Sequence, residues 1–233
     1  MKLSLVIPVF NEEAVLPLTL ARLRSVLQAM GCDYEIVFVN DGSRDRTFDI
    51  LDREAAADSR IKAVSFSRNF GHQAAVTAGL DFASGDAVVV MDADLQDPPE
   101  LLPKMVELYR QGYDVVSPQR TSREGETWFK RQTANLFYGL MRKLADANMP
   151  KQVGDFRLLS REAVRAMRQF REQHRFMRGM VAWLGLKEVL LPFERQARAA
   201  GETKYPLWKM LRFSWTAITS FSAVPLRLTM SLG

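Results

Sequence analysis

Three carboxylates and an amide stand close together, directly after the signal of a buried strand. Residues 88–90 are consecutive valines, typical of a strand buried on both faces, and Asp92, Asp94, Gln96 and Asp97 follow them. Stability explains such a cluster poorly because neighbouring carboxylates repel each other, whereas their oxygens suit a hard cation such as Mg²⁺ or Mn²⁺. The stretch therefore predicts a divalent metal site. The alternative is a solvated acidic loop whose aspartates cap the next helix.

A repeating alternation of strand and helix patterns surrounds this cluster. Strand patterns cover residues 3–9, 34–39, 61–66, 87–91 and 114–117; helix patterns cover 12–30, a segment capped by Ser43 or Asp45, 74–83 and 98–111. This order predicts an α/β fold with a doubly wound, mostly parallel sheet flanked by helices. Ligands of such sheets bind beyond the carboxyl ends of the strands. We therefore expect the loops at 8–12, 40–43 and 92–94 to converge on one cleft.

The second half of the chain departs from this alternation and is strongly basic. Helix patterns at 128–144, from 160 onward and at 175–183, with strand patterns at 154–159 and 186–193, are expected to complete the same domain. Residues 1–114 carry 11 Lys and Arg against 18 Asp and Glu, whereas residues 115–233 carry 21 against 9. An acidic half beside a basic half predicts a metal site facing a surface for anions, with phosphate, nucleic acid and anionic lipid as candidates.

The stretch at 205–233 has a different composition, with two tryptophans among aromatic and basic residues. Its uncharged part lies between Arg212 and Arg227, contains Pro225, and is shorter than the roughly 20 residues of a membrane-spanning helix. It predicts an amphipathic helix in the membrane interface. The alternative is a helix that packs against the domain.

Cysteine and histidine contribute little to the prediction. Cys32 is the only cysteine, which excludes an intramolecular disulfide and fits a reducing compartment. Neither His72 nor His174 has metal-ligand spacing with another His or Cys. His72 either lies near the cleft or has a structural role, and the sequence leaves both open.

Taken together, the motifs resemble those of family-2 glycosyltransferases, which have the GT-A fold. The resemblance rests on VIPVFNEE at 6–13, VNDGS at 39–43, SRNFGHQ at 67–73 and MDADLQDP at 91–98. Two later motifs, GDFRL at 154–158 and RAAGETKY at 198–205, are similar to those of the polyprenyl-phosphate glycosyltransferases. That branch includes dolichyl-phosphate mannose synthases and bacterial undecaprenyl-phosphate glucosyltransferases. The resemblance covers nearly the whole chain in the same order.

The resemblance implies a sugar-nucleotide site with a divalent metal, Mg²⁺ or Mn²⁺. Asp92, Asp94 and Gln96 match the metal-binding positions, and side chains two apart on an extended segment point the same way. Asp97 is then expected to cap the following helix. Residues expected to contact the nucleotide sugar are Asp92 together with Pro8, Phe10, Glu12 and Asp41, of which Asp41 matches the carboxylate that reads the base or ribose.

The resemblance also implies the catalytic groups and the grip on phosphate. Asp94 and Asp155 are the expected catalytic residues, and Asp155 matches the position usually proposed as the base. Because a lipid phosphate is already largely ionised, Asp155 could instead orient the acceptor or a basic partner. The candidates for holding the acceptor phosphate or the diphosphate are Arg120, Arg131, Arg198 and Lys204.

The predicted function is an inverting transfer of a hexose from a UDP- or GDP-sugar to a polyprenyl phosphate at the cytoplasmic face of the plasma membrane. The expected organisation is a GT-A catalytic domain at 1–204 and an amphipathic juxtamembrane segment at 205–233. In bacterial relatives membrane helices commonly follow, and the sequence leaves open whether this chain is a piece of such a protein or a membrane-peripheral member. Self-association into a homo-oligomer also stays open.

Other functions fit the sequence less well. A family-2 transferase with a soluble or different lipid acceptor is the main alternative. A sugar nucleotidyltransferase or a dehydrogenase is disfavoured because no glycine-rich phosphate loop follows the first strand. A nucleic-acid partner is not expected, because the acidic loop would repel phosphates in the absence of metal.

Overall fold

The structure is a computed structural model that describes residues 1–121, 153–170, 172 and 175–194. The strands are β1 (Lys2–Val9), β2 (Asp33–Asn40), β3 (Ile61–Ser65), β4 (Ala87–Val90), β5 (Val115–Arg120), β6 (Arg157–Ser160) and β7 (Glu188–Phe193). The helices are α1 (Leu16–Met30), α2 (Thr47–Ala57), α3 (His72–Phe82), α4 (Leu102–Arg110), α5 (Arg161–Gln169) and α6 (Met177–Leu184), and a 3₁₀ turn (Pro99–Leu101) precedes α4.

These strands form a seven-stranded sheet in the order β3-β2-β1-β4-β6-β5-β7. All neighbours are parallel except β6, which runs antiparallel to both β4 and β5. This confirms the predicted mostly parallel α/β sheet. The strands of the second half insert into the sheet of the first, so the two halves share one sheet.

The sheet is buried on both faces, as the valine-rich strands predict. One face packs beneath α1 and α4 through residues such as Leu5, Phe38 and Val89. The other packs beneath α3, α5 and α6 through Val6, Val88 and Leu159. Helix α3 lies especially close to the sheet, since a Cβ atom on Gly79 would come within 2.2 Å of Val6 Cγ1.

The helix starts differ from the predicted ones: α3 begins at His72 rather than at residue 74, and α4 begins at Leu102 rather than at residue 98, after the 3₁₀ turn. Helix α1 begins at Leu16 rather than at residue 12, because the backbone N–H groups of Glu12 and Glu13 are bound by Thr47 and Asp45 side chains instead of facing an open helix start. Helix α2 begins at Thr47, where Asp45 Oδ1 accepts a hydrogen bond from the Thr47 backbone. Of the two predicted caps, Asp45 thus acts near the helix start. Ser43 does not, because its hydroxyl accepts from the Asn11 backbone.

Several predictions concern residues outside the ranges that the structure describes. The helix expected at 128–144, Arg131, Arg198, Lys204 and the segment 205–233 lie outside the described residues. The domain boundary at 204 therefore stays a prediction. Within the described residues, no helix combines the length and apolar character needed to cross a bilayer.

Candidate active site

The acidic loop after β4 presents its polar side chains on one side. Met91, Ala93 and Leu95 are each no more than 3% exposed, whereas the alternating Asp92, Asp94 and Gln96 are partly exposed. The Thr19 hydroxyl of α1 donates a 2.7 Å hydrogen bond to the Ala93 carbonyl and ties the loop to the domain. The predicted two-residue alternation of the metal-binding set is thus present.

The loop reverses sharply after Asp94. Leu95 has a left-handed φ of 58°, unusual for a residue with a branched side chain. The Gln96 backbone donates a 3.1 Å hydrogen bond to Asp94 Oδ1, which stabilises the reversal. The loop therefore keeps Asp94 and Gln96 close together at the carboxyl end of β4.

The charges around Asp92 suit a bound cation. Desolvation by the surrounding protein, together with the negative charges of Asp155 and Asp94, raises the pKa of the Asp92 carboxyl. Since Asp92 keeps 40% of its side-chain surface exposed, a metal ion can reach it and relieve that repulsion. No group of three or more His, Cys, Asp or Glu side chains in the described ranges is arranged to hold a metal. A site of the Mg²⁺ type needs only one or two carboxylates, completed by substrate phosphates and water.

His72 lies in the cleft, which resolves the alternative that the sequence left open. Its Nε2 is 2.9 Å from Asp92 Oδ1, within hydrogen-bond distance. Gly71, with a φ of 99°, precedes it and turns the chain into α3. The imidazole therefore connects the start of α3 to the acidic loop.

Asp41 is buried and holds the loop between β3 and α3. Its carboxylate accepts hydrogen bonds from the backbone N–H groups of Phe70, at 2.7 Å, and Gly71, at 3.0 Å. Burial raises the pKa of the Asp41 carboxyl, and these two donors oppose that shift. Asp41 thus shapes the edge of the cleft, and its contact with a base or ribose stays a prediction.

Gly42, directly after Asp41, allows the loop between β3 and α3 to come close to the end of β2. Gly42 has a φ of 67°, and a Cβ atom there would lie 2.4 Å from the Arg68 carbonyl carbon. Any other residue would push the loop away from Asp41. The glycine in the VNDGS motif is therefore required by the geometry of the cleft edge.

The loop after β1 interlocks with the loop after β2. Asn11 has a left-handed φ of 53°; its backbone donates to Ser43 Oγ, and its Oδ1 accepts from the Arg44 backbone. Pro8 is buried in β1, while Phe10 and Glu12 are partly exposed beside this junction. The three loops meet at the same edge of the sheet, as predicted.

Asp155 forms an ion pair with Arg178. Arg178 Nε and Nη2 lie 2.8 and 3.4 Å from the two carboxylate oxygens, and Asp155 is only 16% exposed. Although burial alone would raise the pKa of the Asp155 carboxyl, the Arg178 guanidinium holds it well below its usual range. Asp155 therefore stays ionised at neutral pH and is a weak base.

Asp155 and Asp92 come together through the reversed strand. The β4–β6 ladder pairs Val90 with Arg157, and continuing this antiparallel register brings residue 92 opposite residue 155. Like charges at opposing positions repel, and the Arg178 guanidinium, which pairs with Asp155 and also acts on Asp92, offsets this repulsion.

Asp97 has a different role from the predicted helix cap. The 3₁₀ turn begins at Pro99 without a side-chain cap, whereas the carboxylate of Asp97, 2% exposed, faces Arg120 with Oδ1 and Nη2 4.0 Å apart. Burial opposite a guanidinium, rather than at an open helix start, explains the difference. A Cβ atom on Gly154 would lie 3.1 Å from Arg120 Nη2, so this arginine also reaches the loop that carries Asp155.

The sequence predicted Asp92, Asp94, Gln96 and Asp41 at this edge of the sheet, the family resemblance added Asp155 and Arg120 as site residues, and neither predicted Arg178. His72 falls within a motif that signalled a loop near the cleft. Arg178 stands among other arginines of the basic second half, and nothing in the local pattern distinguishes it from a solvated helix residue.

Comparison with known proteins identifies the family. The model of glycosyl transferase family 2 matches residues 4–168. The uncharacterized glycosyltransferase YkcC of Bacillus subtilis is 50% identical over 99% of this chain and 71% of its own length. The bactoprenol glucosyl transferase of Shigella phage SfV is 42% identical over 100% of this chain and 76% of its own length.

Solved structures agree on the fold. Glucosyl-3-phosphoglycerate synthase from Mycobacterium tuberculosis, in complex with Mn²⁺, UDP and phosphoglyceric acid, superposes with a TM-score of 0.66 at 22% identity, covering 93% of this chain and 76% of that one. Staphylococcus aureus TarS in complex with UDP has a TM-score of 0.54 at 17% identity, covering 82% and 58%. With the family model matching most of the sequence and relatives matching 99–100% of it, this chain belongs to glycosyl transferase family 2.

Proposed function

We propose that the protein transfers a hexose, with glucose as the first candidate, from a UDP- or GDP-sugar to a polyprenyl phosphate at the cytoplasmic face of the membrane. The observation that carries this proposal is the similarity, at 41–42% identity over all 233 residues of this chain and 75–76% of theirs, to relatives named bactoprenol glucosyl transferase. The cleft supports this proposal, because the carboxylate and amide oxygens of the acidic loop lie near arginine guanidinium groups at one edge of the sheet.

The donor occupies the side of the cleft formed by the loops after β1, β2 and β3. Phe10, Glu12 and Asp41 stand beside the nucleoside there, and the diphosphate extends toward the acidic loop. Asp92 and Asp94, with Gln96, would hold Mg²⁺ or Mn²⁺, which as a Lewis acid stabilises the charge on the leaving diphosphate. His72 keeps Asp92 in place at 2.9 Å.

The transfer is one in-line displacement. An oxygen of the acceptor phosphate attacks the anomeric carbon and forms the new C–O bond, while the bond to the nucleoside diphosphate breaks and its electron pair leaves with the diphosphate. A phosphate monoester has a second pKa of about 6, so the attacking oxygen is largely ionised at neutral pH and needs no proton acceptor. Asp155, ionised and paired, therefore serves to position groups rather than to take a proton.

A direct assay tests this function. The protein is incubated with Mg²⁺ or Mn²⁺, undecaprenyl phosphate in detergent micelles, and a panel of UDP- and GDP-hexoses, and lipid-linked sugar is measured by chromatography and mass spectrometry. We expect one donor to give a product whose anomeric configuration is inverted. Asp94→Asn should abolish transfer, whereas Asp52→Asn, an exposed carboxylate on α2, should not.

Two results would reject the proposal. The first is the absence of lipid-linked sugar with every donor, in protein that binds UDP. The second is transfer to a soluble acceptor alone, which would identify the protein as a family-2 transferase of another acceptor class.

A further inference from the structure

Arg178 is a cation built into the cleft by a helix that carries no recognisable motif. It is the second residue of α6, and the Met177 backbone just before it donates a 3.0 Å hydrogen bond to Gln73 Oε1 of α3. The start of α6 is thereby tied to the start of α3, next to His72. Both this anchor and the bond to Asp155 restrict the guanidinium to one place.

The ion pair with Asp155 is not explained by stability alone. Burying an ion pair costs about as much solvation as its attraction returns, so such pairs are weak evidence of a stabilising role. Arg178 keeps 31% of its side-chain surface exposed, and its charge also acts on Asp92. A guanidinium presents a planar fork of hydrogen-bond donors that matches the geometry of a phosphate group, and the exposed part of Arg178 can take this role.

The sheet order indicates which phosphate. The loops expected to hold the nucleotide follow β1, β2 and β3, which form one end of the sheet, and the acidic loop follows β4 at its centre. Asp155 lies two residues before β6 and Arg120 is the last residue of β5, and both strands lie on the other side of β4. In an in-line displacement the attacking group approaches from the side opposite the leaving diphosphate, so the Asp155–Arg178 pair lies where the acceptor must enter.

We infer that Arg178, oriented by Asp155, binds the phosphate monoester of the acceptor and aligns its oxygen with the anomeric carbon. This inference rests on the proposed function and adds a binding residue to it. Asp155 acts here as a positioning residue. The same chemistry could instead hold the donor diphosphate, and the experiment separates the two phosphates.

Binding measurements provide the first test. Farnesyl phosphate serves as a short acceptor, farnesol as the same lipid without phosphate, inorganic phosphate as the headgroup without lipid, and UDP with Mn²⁺ as the donor fragment. Affinities are measured by calorimetry for wild type, Arg178→Gln, Arg178→Lys and Arg165→Gln, an exposed arginine of α5 that serves as the matched control.

For Arg178→Gln we expect farnesyl phosphate to bind roughly 10- to 100-fold more weakly, the loss that follows from removing a charged hydrogen-bond partner. Binding of farnesol and of UDP with Mn²⁺ should change less than about threefold. Inorganic phosphate should bind more weakly than farnesyl phosphate and show the same dependence on Arg178. Arg178→Lys should retain part of the affinity, because the charge remains and the fork is lost. Arg165→Gln should match wild type.

Steady-state kinetics provide the second test. The KM for the polyprenyl phosphate should rise in Arg178→Gln, while the KM for the donor stays near the wild-type value. If Arg178→Gln does not fold, Arg178→Lys and Asp155→Asn are measured in its place, and both should raise the acceptor KM.

The inference is overturned if farnesyl phosphate binds all folded Arg178 variants as it binds wild type, or if UDP affinity falls as far as acceptor affinity. The proposed function fails separately, if wild-type protein neither binds farnesyl phosphate nor transfers sugar to it.

Discussion

His72 Nε2 lies 2.9 Å from Asp92 Oδ1, so the first residue of α3 is joined to the first carboxylate of the acidic loop. Asp92 is crowded by Asp94 and Asp155, and His72 is the neighbour that most opposes this repulsion. The position of the carboxylate proposed to bind the metal therefore depends on a side chain from another loop.

Replacing His72 should weaken metal binding. Outer-shell partners of metal ligands typically contribute about 10- to 100-fold in affinity or activity, and we expect a loss of this size for His72→Ala. The measurement is a Mn²⁺ titration followed by electron paramagnetic resonance, with UDP present. His72→Gln, whose amide can still donate to Asp92, should lose less. Equal affinity in wild type and His72→Ala would show that the contact does not orient the ligand.

The second prediction distinguishes an ion pair from a helix cap at Asp97. Asparagine caps helices as well as aspartate does, so Asp97→Asn would be nearly neutral if the residue were a cap. Because the buried carboxylate faces Arg120, we expect Asp97→Asn to lower the free energy of unfolding by about 2 kcal/mol, somewhat less than for a fully buried pair. Urea unfolding measures this loss.

A double-mutant cycle isolates the pair. If Asp97 and Arg120 interact, the cost of Asp97→Asn should be smaller in an Arg120→Gln background than in wild type. Additive effects of the two substitutions would reject the interaction. Arg22→Gln, which removes the partner of the exposed Glu100 on the neighbouring turn, is the control expected to change stability by less than about 1 kcal/mol.

The sequence predicted the strands, the helices and the position of the cleft better than it predicted which strands pair and which side chains meet in the cleft. Valine-rich strands and loop motifs depend on local patterns, so β1 to β5 and the site at their carboxyl ends were predictable. The reversal of β6 was not, because insertion between β4 and β5 depends on contacts distant in sequence. That reversal is what brings Asp155 opposite Asp92. Arg178 escaped prediction for the same reason, since its significance comes only from the carboxylate it meets.

The third prediction concerns Glu35, at the opposite edge of the sheet. This buried carboxylate accepts hydrogen bonds from the hydroxyls of Ser4 and Ser84 and pairs with Lys2 and Lys62, each at 2.9 Å. Burial alone would raise the pKa of the Glu35 carboxyl, but these partners together hold it well below the usual range. The groups around Glu35 therefore stabilise its ionised form more than water does.

The stability that Glu35 provides should depend on pH. A carboxyl whose pKa is lower in the folded state stabilises the fold fully above its unfolded pKa of about 4.3, and this contribution is lost as the pH falls toward the folded value. Glu35→Gln should therefore lower the free energy of unfolding by about 2 kcal/mol at pH 7, a figure reduced because both lysines are partly exposed. The difference from wild type should shrink below about pH 4.

Urea unfolding at pH 7 and at about pH 3 measures the effect, since wild-type Glu is mostly protonated in the unfolded chain at the lower value. Glu54→Gln, which breaks the more exposed pair with Arg24, should cost less than about 1 kcal/mol and show little pH dependence. A Glu35→Gln protein as stable as wild type at pH 7 would contradict the prediction.

The fourth prediction concerns the pH dependence of turnover and tests whether Asp155 takes a proton. The Arg178 guanidinium holds the pKa of Asp155 well below its usual range, so the carboxylate is ionised across the whole range in which the enzyme is assayed. Asp155→Asn should reduce turnover through the lost orientation of Arg178. The shape of the pH–rate profile between about pH 5 and pH 9 should be the same in wild type and Asp155→Asn, because any acidic limb then belongs to the acceptor phosphate.

The profiles of both proteins are recorded at saturating donor and acceptor, with transfer quantified as lipid-linked sugar. An acidic limb that is present in wild type and absent in Asp155→Asn would assign the base role to Asp155. Asp155 would then do more than orient Arg178, because its carboxylate would take the proton itself.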